Sequence, residues 1–300
     1  MSRLALLLVS LALIAAACGG SSVAEDAVDS VPAGDTQVPA ASEQPESPAE
    51  TGPSWSGTAD QVTPDEADAS SPAGGTPSGR EVIITPDFED ELNVSSRGWA
   101  TDFSRHTVRL DEFLSGGPGK DGIPAIDEPT FVSVQDAEAQ LEGREPIVVV
   151  EVDGIVRGYP IRVLIWHEIV NDTIGDVPVS VTFCPLCNTA IAFGRRLGGR
   201  LLDCGRTGNL RNSDLAMFDR QTETWWQQFG GEGIIGELAG DLLTQVPAAV
   251  VAWEDFAAQN PNAGILSQNT GFSRPYGRNP YVGYDTIDQP PSAQRAGRST

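Results

Sequence analysis

Residues 159–193 read YPIRVLIWHEIVNDTIGDVPVSVTFCPLCNTAIAF, and this stretch decides our interpretation of the fold. Pro160 can begin a helix at its first position, where its missing N–H group has no bond to make, and the apolar residues of 161–170 predict that helix. Residues 178–183 and 189–193 are rich in β-branched and aromatic side chains. They predict two strands on either side of a Cys-Pro-Leu-Cys corner.

The chain on either side repeats this pattern of short strands and turns. Residues 146–152 and 155–159 are apolar runs separated by Asp153-Gly154, a pair that favours the positive φ angles of a two-residue hairpin turn. Residues 253–259 predict an amphipathic helix that Asn260-Pro261 ends. Further strands are predicted at 81–85, 200–203, 215–218, 224–228, 242–246 and 264–267, and a short helix at 134–141. Many short strands with a few short helices predict a single α+β domain with a mainly antiparallel β-sheet.

The two ends of the chain differ in composition from this domain. Residues 1–18 combine an apolar run with small residues directly before Cys18, which is the layout of a bacterial lipoprotein signal peptide whose cysteine becomes lipidated. Residues 19–80 are dominated by Ser, Ala, Pro, Gly, Asp and Glu, so they predict a disordered acidic tether. The domain is predicted at 81–288 and a flexible tail at 289–300. We therefore expect a protein anchored by lipid to the extracytoplasmic face of the cell membrane.

Charge limits the partners of the protein. The chain carries 42 acidic and 19 basic residues, a net charge of −23 at pH 7. An acidic domain on an acidic tether repels phosphate backbones, so nucleic acid is excluded as a partner. The sequence has no glycine-rich phosphate-binding loop, so no nucleotide cofactor is expected. The lipid anchor is the partner that the sequence indicates, and protein partners are unknown.

Cys184-Pro185-Leu186-Cys187 is the sharpest chemical feature, and three interpretations stay open. Two cysteines three residues apart across a tight corner can bind one metal ion, and Asn188 tolerates the left-handed conformation that such a knuckle needs. The same spacing serves thioredoxin-type disulfide exchange, in which Cys184 would attack and Cys187 would resolve. That site needs a helix after the first cysteine, whereas residues 188–193 favour a strand. The third interpretation is a structural pair that only holds the corner.

His167 and Cys204 are the other candidate ligands. The spacing His167-x16-Cys184-x2-Cys187-x16-Cys204 would supply four ligands, although it matches no known metal-site spacing. His167 is not part of a zinc-protease motif, because Asn171 stands where the second histidine would be. No serine-hydrolase nucleophile motif is present, so the sequence leaves open whether the protein is an enzyme.

Long motifs resemble a known family. Residues 158–193, 208–228 and 269–285 read GYPIRVLIWHEIVNDTIGDVPVSVTFCPLCNTAIAF, GNLRNSDLAMFDRQTETWWQQ and NTGFSRPYGRNPYVGYD, and residues 99–127 read WATDFSRHTVRLDEFLSGGPGKDGIPAID. Over residues 81–285 the chain resembles the prokaryotic family of domain of unknown function 3179. The resemblance implies a site that draws on Trp166, His167, Glu168, Asn171, Asp172, Cys184, Pro185, Cys187, Thr189, Asn212, Ser213 and Asp214. Asn188 departs from an expected glycine, and Cys204 departs from an expected apolar or aromatic residue, which implies that Cys204 is not a ligand.

We therefore expect an open site in which Cys184, Cys187 and His167 bind a soft transition metal. Thiolate and imidazole ligands suit copper or zinc. The residues expected to surround and orient these ligands are Glu168, Asn171, Asp172, Thr189, Asn212, Ser213 and Asp214. The alternatives are a thiol–disulfide redox protein that uses the same two cysteines, and a non-catalytic surface or binding module whose CxxC is structural.

Overall fold

The computed structural model describes residues 76–283. The predicted signal peptide with Cys18, most of the predicted tether and the predicted tail at 289–300 lie outside the described residues. In chain order, the strands within 76–283 are β1 Thr76–Pro77, β2 Ile83–Ile84, β3 Arg105–His106, β4 Phe113–Ser115, β5 Phe131–Ser133, β6 Pro146–Val152, β7 Ile155–Pro160, β8 Ile169–Ile174, β9 Val177–Cys184, β10 Thr189–Gly194, β11 Arg196–Leu197, β12 Arg200–Leu201, β13 Cys204–Arg211, β14 Asp214–Asp219, β15 Trp225–Gln227, β16 Glu232–Ile235, β17 Asp241–Leu242, β18 Gln245–Val246, β19 Ala248–Ala252 and β20 Gly264–Leu266.

Helices are few and short. The α-helices within the described range are α1 Val134–Glu138, α2 Ile161–His167 and α3 Trp253–Gln259, and 3-10 turns lie at Phe88–Asp90 and Leu110–Glu112. The hydroxyl of Ser133 accepts the Asp136 N–H and so caps α1. Helix α3 has the predicted bounds. Across residues 76–283 no helix is both long and apolar enough to cross a membrane.

The described strands assemble into three main sheets and one small ribbon. One sheet has the order β1-β17-β16-β15-β14-β13-β4, with β2 and β3 attached beside β16; a second has the order β18-β10-β9-β8; a third has the order β19-β6-β7-β20-β5; and β11 pairs with β12. The strand pairs are antiparallel except for β20 with β7. Antiparallel sheets dominate and helices are few, so the α+β prediction holds in this coarser form, and the fold is mostly β.

The β18-β10-β9-β8 sheet lies between the other two main sheets and is packed on both faces. Side chains alternate between the faces of a strand, and along β9 Val181 and Phe183 pack with Val148 of β6 in one core. Cys184, which has the opposite orientation, packs with Met217 of β14 in the next core. The alternation therefore turns the first cysteine toward the sheet that contains β13 and β14.

The predicted helix at residues 161–170 is too long. Helix α2 ends at His167, because Glu168 adopts a left-handed conformation with φ 63°, and Ile169–Ile174 is strand β8. The β-branched residues of this segment fit a strand that is buried on both faces. At the N-terminal end, β1 pairs with β17 and Arg80 forms an ion pair with Glu232 at 2.8 Å, so packing begins ahead of the predicted boundary at residue 81.

Asn171 joins the middle sheet to the sheet of β13. Its side-chain amide accepts the Cys204 N–H at 3.1 Å and donates to the Cys204 carbonyl at 2.8 Å and to Asp127 at 2.7 Å. The side chain is only 3% exposed. Asn171 therefore pairs both backbone groups of Cys204 across the boundary between two sheets.

Replacing Asn171 by alanine should destabilise the fold. Asn171→Ala leaves the buried N–H and C=O groups of Cys204 without these partners, and each unsatisfied buried group costs about 1–3 kcal/mol. We expect a loss of about 2–4 kcal/mol in the free energy of unfolding, measured by urea denaturation. The matched control is Asn262→Ala at an exposed position, which should change stability by less than about 0.5 kcal/mol. Equal midpoints for the two variants would contradict this role.

Candidate functional site

The CxxC segment forms the turn of a hairpin. Cys184 is the last residue of β9 and pairs with Thr189, the first residue of β10, while Cys187 lies in the connecting turn. Asn188 adopts the left-handed conformation with φ 49°. The backbone therefore has the knuckle geometry that the sequence suggested, with both cysteines on one side of the corner, and no helix follows Cys184 as a thioredoxin-type site would require.

A second hairpin faces this knuckle. Strands β13 and β14 are joined by Asn212 and Ser213, whose φ angles are 52° and 64°, and Arg211 pairs with Asp214 across the turn. Two successive positive φ angles define the tight turn that matches the twist of paired strands. The turn places Asp214, which is 6% exposed, at the first position of β14.

The two hairpins bring three ligand groups together. The sulfurs of Cys184 and Cys187 and a carboxylate oxygen of Asp214 all lie within 4.8 Å of one another, and we call these three residues the cysteine–aspartate cluster. The Cys187 sulfur lies 3.3 Å from Asp214 Oδ1 and 3.2 Å from the Thr189 hydroxyl. The Cys184 sulfur lies 3.9 Å from the Ser213 carbonyl. A metal ion could be held by this group.

The carboxylate of Asp214 is held in place from its other side. Its Oδ2 accepts hydrogen bonds from the Gln227 side-chain amide and from the Phe229 N–H, the latter at 3.0 Å. These donors leave Oδ1 directed at Cys187. Hydrogen bonds of this kind orient a ligating carboxylate and fix which oxygen reaches the metal.

The two thiols differ in burial and acidity. The hydrogen bond from the Cys184 thiol lowers the pKa of Cys187, and the Thr189 hydroxyl acts in the same direction. The same thiol–thiol hydrogen bond raises the pKa of Cys184, and burial adds to the effect. Cys184 is 1% exposed, whereas Cys187 is partly exposed. Cys187 is therefore the thiol that ionises first and that solvent reaches.

His167 does not belong to the cluster. Its ring Nδ1 bonds the Pro124 carbonyl at 2.8 Å, which requires a proton on Nδ1, and its Nε2 lies 2.7 Å from the Tyr276 hydroxyl. The ring is fully buried, and burial lowers its pKa, which favours the neutral form. Both nitrogens have protein partners, and the ligand role of His167 stays a prediction.

Glu168 belongs to a buried network beside Cys184. Its carboxylate lies 2.5 Å from Arg206 Nε and accepts a hydrogen bond from the Tyr281 hydroxyl at 2.7 Å. Burial raises the pKa of Glu168, while the charge of Arg206 and the Tyr281 bond oppose that rise. Burial likewise raises the pKa of Tyr281, and the charges of Glu168 and Cys184 add to it. The network therefore adjoins the cluster without contributing to its ligand set.

Three consecutive residues at the end of α2 hold the C-terminal part of the described chain. The Trp166 indole N–H donates to the Arg278 carbonyl at 3.1 Å, and the next two residues bond the hydroxyls of Tyr276 and Tyr281. We call residues 272–283 the C-terminal strap. Three hydrogen bonds therefore attach this strap to the end of α2.

The remaining predicted site residues lie at varying distances from the cluster. Thr189 touches Cys187, whereas Asn171 bonds Cys204 and Asp172 accepts the Tyr159 hydroxyl at 2.6 Å inside a different core. Cys204 is buried, which raises its pKa to about 11, and it is not a member of the cluster. Sequence reasoning gave Asp214 only a supporting role. A carboxylate directly after the Asn-Ser turn was a usable signal, but only packing shows that this turn faces the knuckle.

Removing Arg206 should destabilise the protein in a pH-dependent way. Arg206→Met leaves Glu168 as an unpaired buried charge, which costs about 3–5 kcal/mol near neutral pH. The variant raises the folded-state pKa of Glu168 further above its unfolded value. Relative stability should therefore recover as pH falls through that raised pKa toward about 4.3 and be lost again as pH rises, as urea denaturation at several pH values would show.

Two controls separate this effect from general damage. Arg206→Met combined with Glu168→Gln should regain most of the stability and lose the pH dependence. Arg200→Met breaks an exposed ion pair with Glu237 and should cost less than about 1 kcal/mol. A loss in Arg206→Met that is the same at every pH would contradict the ionised state of Glu168.

Comparisons with known proteins agree with the motifs. No curated protein and no solved structure gives a significant match to the chain. The sequence profile of the family described as "Protein of unknown function (DUF3179)" matches residues 120–299. The matched range contains the knuckle, the facing hairpin and the C-terminal strap. The chain belongs to the DUF3179 family.

Proposed function

We propose that this protein is a lipid-anchored extracytoplasmic metal-binding protein that holds one zinc ion on Cys184, Cys187 and Asp214. The observation that carries the proposal is the convergence of two thiols and a fixed carboxylate from two facing hairpins within 4.8 Å. Zinc–sulfur bonds are about 2.3 Å, so two sulfurs on one tetrahedral ion lie about 3.8 Å apart. The cluster therefore fits a zinc ion with small side-chain movements.

The ligand set favours zinc over copper. Copper(I) prefers soft sulfur and nitrogen ligands, whereas zinc accepts cysteine, histidine and carboxylate ligands alike. The third ligand in the cluster is an oxygen rather than the expected imidazole. The ligand set therefore suits zinc better than copper(I). Thr189, Gln227 and the Phe229 N–H would hold the ligands in position.

The proposed site is open rather than closed. Three protein ligands leave the fourth tetrahedral position for water or a substrate, which is the arrangement of exchangeable and catalytic zinc sites, whereas structural sites use four protein ligands. The partly exposed Cys187 lies on the outer side of the cluster, so the fourth position would be reached from the surface. Metal exchange is thus part of the proposal.

The proposed location rests on the N-terminal sequence. Residues 1–18 have the layout of a lipoprotein signal and residues 19–80 that of a long polar tether. A tether of that length would let the domain act at a distance from the membrane surface. We propose Cys18 as the lipidated residue, and the incorporation of labelled palmitate, lost in Cys18→Ala, would test it.

The zinc proposal predicts which substitutions remove the metal. The purified protein should contain one zinc ion per chain by elemental mass spectrometry. Asp214→Asn should weaken zinc binding about tenfold or more, since even residues that only support a zinc site contribute about 10–100-fold. Cys187→Ser should weaken it further. Competition with a chromophoric chelator measures both effects, and cobalt substitution should give thiolate-to-metal charge-transfer absorption.

Two matched variants decide between the cluster and the histidine site. Cys204→Ser removes a thiol outside the cluster and should leave the zinc content unchanged. His167→Gln should also retain the metal if Asp214 is the third ligand. Loss of zinc in His167→Gln with retention in Asp214→Asn would overturn the cluster and restore the sequence-based ligand set. Protein without metal in the reduced state would overturn the zinc proposal altogether.

A further inference from the structure

The cysteine pair has two features that metal binding alone does not require. The sulfurs of Cys184 and Cys187 lie within 4.8 Å of each other at one corner of the backbone. One of them is partly exposed while the other is buried behind it. An accessible sulfur close to a protected one is the arrangement that thiol–disulfide exchange needs.

We propose that Cys187 exchanges with disulfides that reach the surface of the domain, and that the Cys184–Cys187 disulfide so formed expels the zinc ion. The inference rests on the proposed zinc site and adds a redox activity to it. Its substrate class is a low-molecular-weight or exposed protein disulfide. Since thiols tend to be oxidised outside the cytoplasm, such compounds are expected at the proposed location.

Exposure assigns the order of attack. The Cys184 sulfur is 1% exposed and packs against β14, so an external disulfide cannot approach it in line. Cys187 lies in the turn and meets solvent. The sequence-based redox alternative had Cys184 as the attacking thiol, and the burial of Cys184 favours the reverse order.

The reaction balances with the disulfide as oxidant. The Cys187 thiolate attacks one sulfur of R–S–S–R, the S–S bond breaks, and R–S⁻ leaves. The Cys184 thiolate then attacks the Cys187 sulfur of the mixed disulfide, a second R–S⁻ leaves, and both take protons from solvent. Two electrons pass from the cysteines to the substrate. A bound zinc ion would lose Cys187 as a ligand in the first step and Cys184 in the second, and Asp214 alone would not hold it.

The turn keeps the two cysteines close to each other. Cys184 and Cys187 flank Pro185-Leu186, and residues three apart across a tight turn have Cα atoms less than about 7 Å apart. Disulfides span Cα separations of about 4.4–6.8 Å, so a turn of this kind brings the two cysteines near the range in which a disulfide can close. The pairing of Cys184 with Thr189 lies outside the new ring and can persist.

The overall charge of the protein suggests which disulfide to use as a probe. Phe229 is 63% exposed, and its backbone N–H donates to the Asp214 carboxylate. The chain as a whole carries a net charge of −23. A cationic disulfide is attracted by such a field, whereas an anionic one is repelled. Cystamine is therefore the suitable probe.

The test adds cystamine to the zinc-loaded protein and follows zinc release with a chromophoric chelator and thiol loss by mass spectrometry. We expect one zinc ion released for every two thiols lost, recovery of zinc binding after dithiothreitol, and the same behaviour in Cys204→Ser. In the metal-free state, Cys184→Ser should accumulate a mixed disulfide on Cys187, and Cys187→Ser should leave Cys184 unmodified.

The outcomes separate this inference from the proposed function. Protein that binds one zinc ion but keeps both its metal and its thiols in cystamine would overturn the inference and leave the zinc site standing. A mixed disulfide on Cys184 rather than Cys187 would overturn the order of attack. Reduced protein that binds no zinc, whatever cystamine does, would overturn the proposed function together with metal expulsion.

Discussion

The register of β9 is the constraint on which the rest of the site depends. Its sheet is packed on both faces, so every residue of the strand has a core to enter, Val181 and Phe183 on one side and Cys184 on the other. A shift of one residue would move each of these side chains to the wrong core. The packing of two cores therefore fixes the direction of a single thiol. No local feature of the knuckle could do so by itself.

Backbone geometry at the turns completes the arrangement. Asn188, Asn212 and Ser213 all adopt left-handed conformations, which cost about 1–3 kcal/mol for a residue other than glycine. Asparagine tolerates this conformation better than most residues, and serine does so less well. Three such residues lie in the two facing turns, next to the cluster of metal-capable side chains found among the described residues. The positions of these turns are therefore kept at a cost in folding stability.

Local patterns predicted much of the fold and part of the site. The Asp153-Gly154 hairpin, the strands around the knuckle and α3 follow from short-range periodicity and turn chemistry. The end of α2 could not be predicted from such patterns, because the left-handed Glu168 is stabilised by the distant partners Arg206 and Tyr281. A pattern of apolar residues cannot reveal a helix end that depends on contacts made far along the chain.

The position of Asp214, which we propose as the third ligand, also depends on contacts between distant parts of the chain. His167 was the natural candidate because it precedes Cys184 in a short stretch with few other metal-capable residues, but α2 directs it toward Pro124 and the strap. In the chain, strands β10 to β13 lie between the knuckle and Asp214. Asp214 meets the knuckle only through the packing of β14 against β9. Distance along the chain is thus a poor guide to which side chains meet in a protein built from sheets packed face to face.

Charge would make a proton and a metal ion alternative occupants of the cysteine–aspartate cluster. Two thiolates beside a buried carboxylate would place three negative charges within 4.8 Å, and such a group is unstable unless it is compensated. With no cation bound, the thiol–thiol hydrogen bond keeps a proton on Cys184 and lets Cys187 ionise. A zinc ion would replace that proton and supply more charge, so binding must release protons and weaken as the solution becomes more acidic. Besides protonation and metal binding, oxidation to a disulfide would also remove the negative charge of both sulfurs. In our proposals, a proton, a metal ion and a disulfide would therefore be three ways to relieve one electrostatic constraint that the two facing hairpins impose.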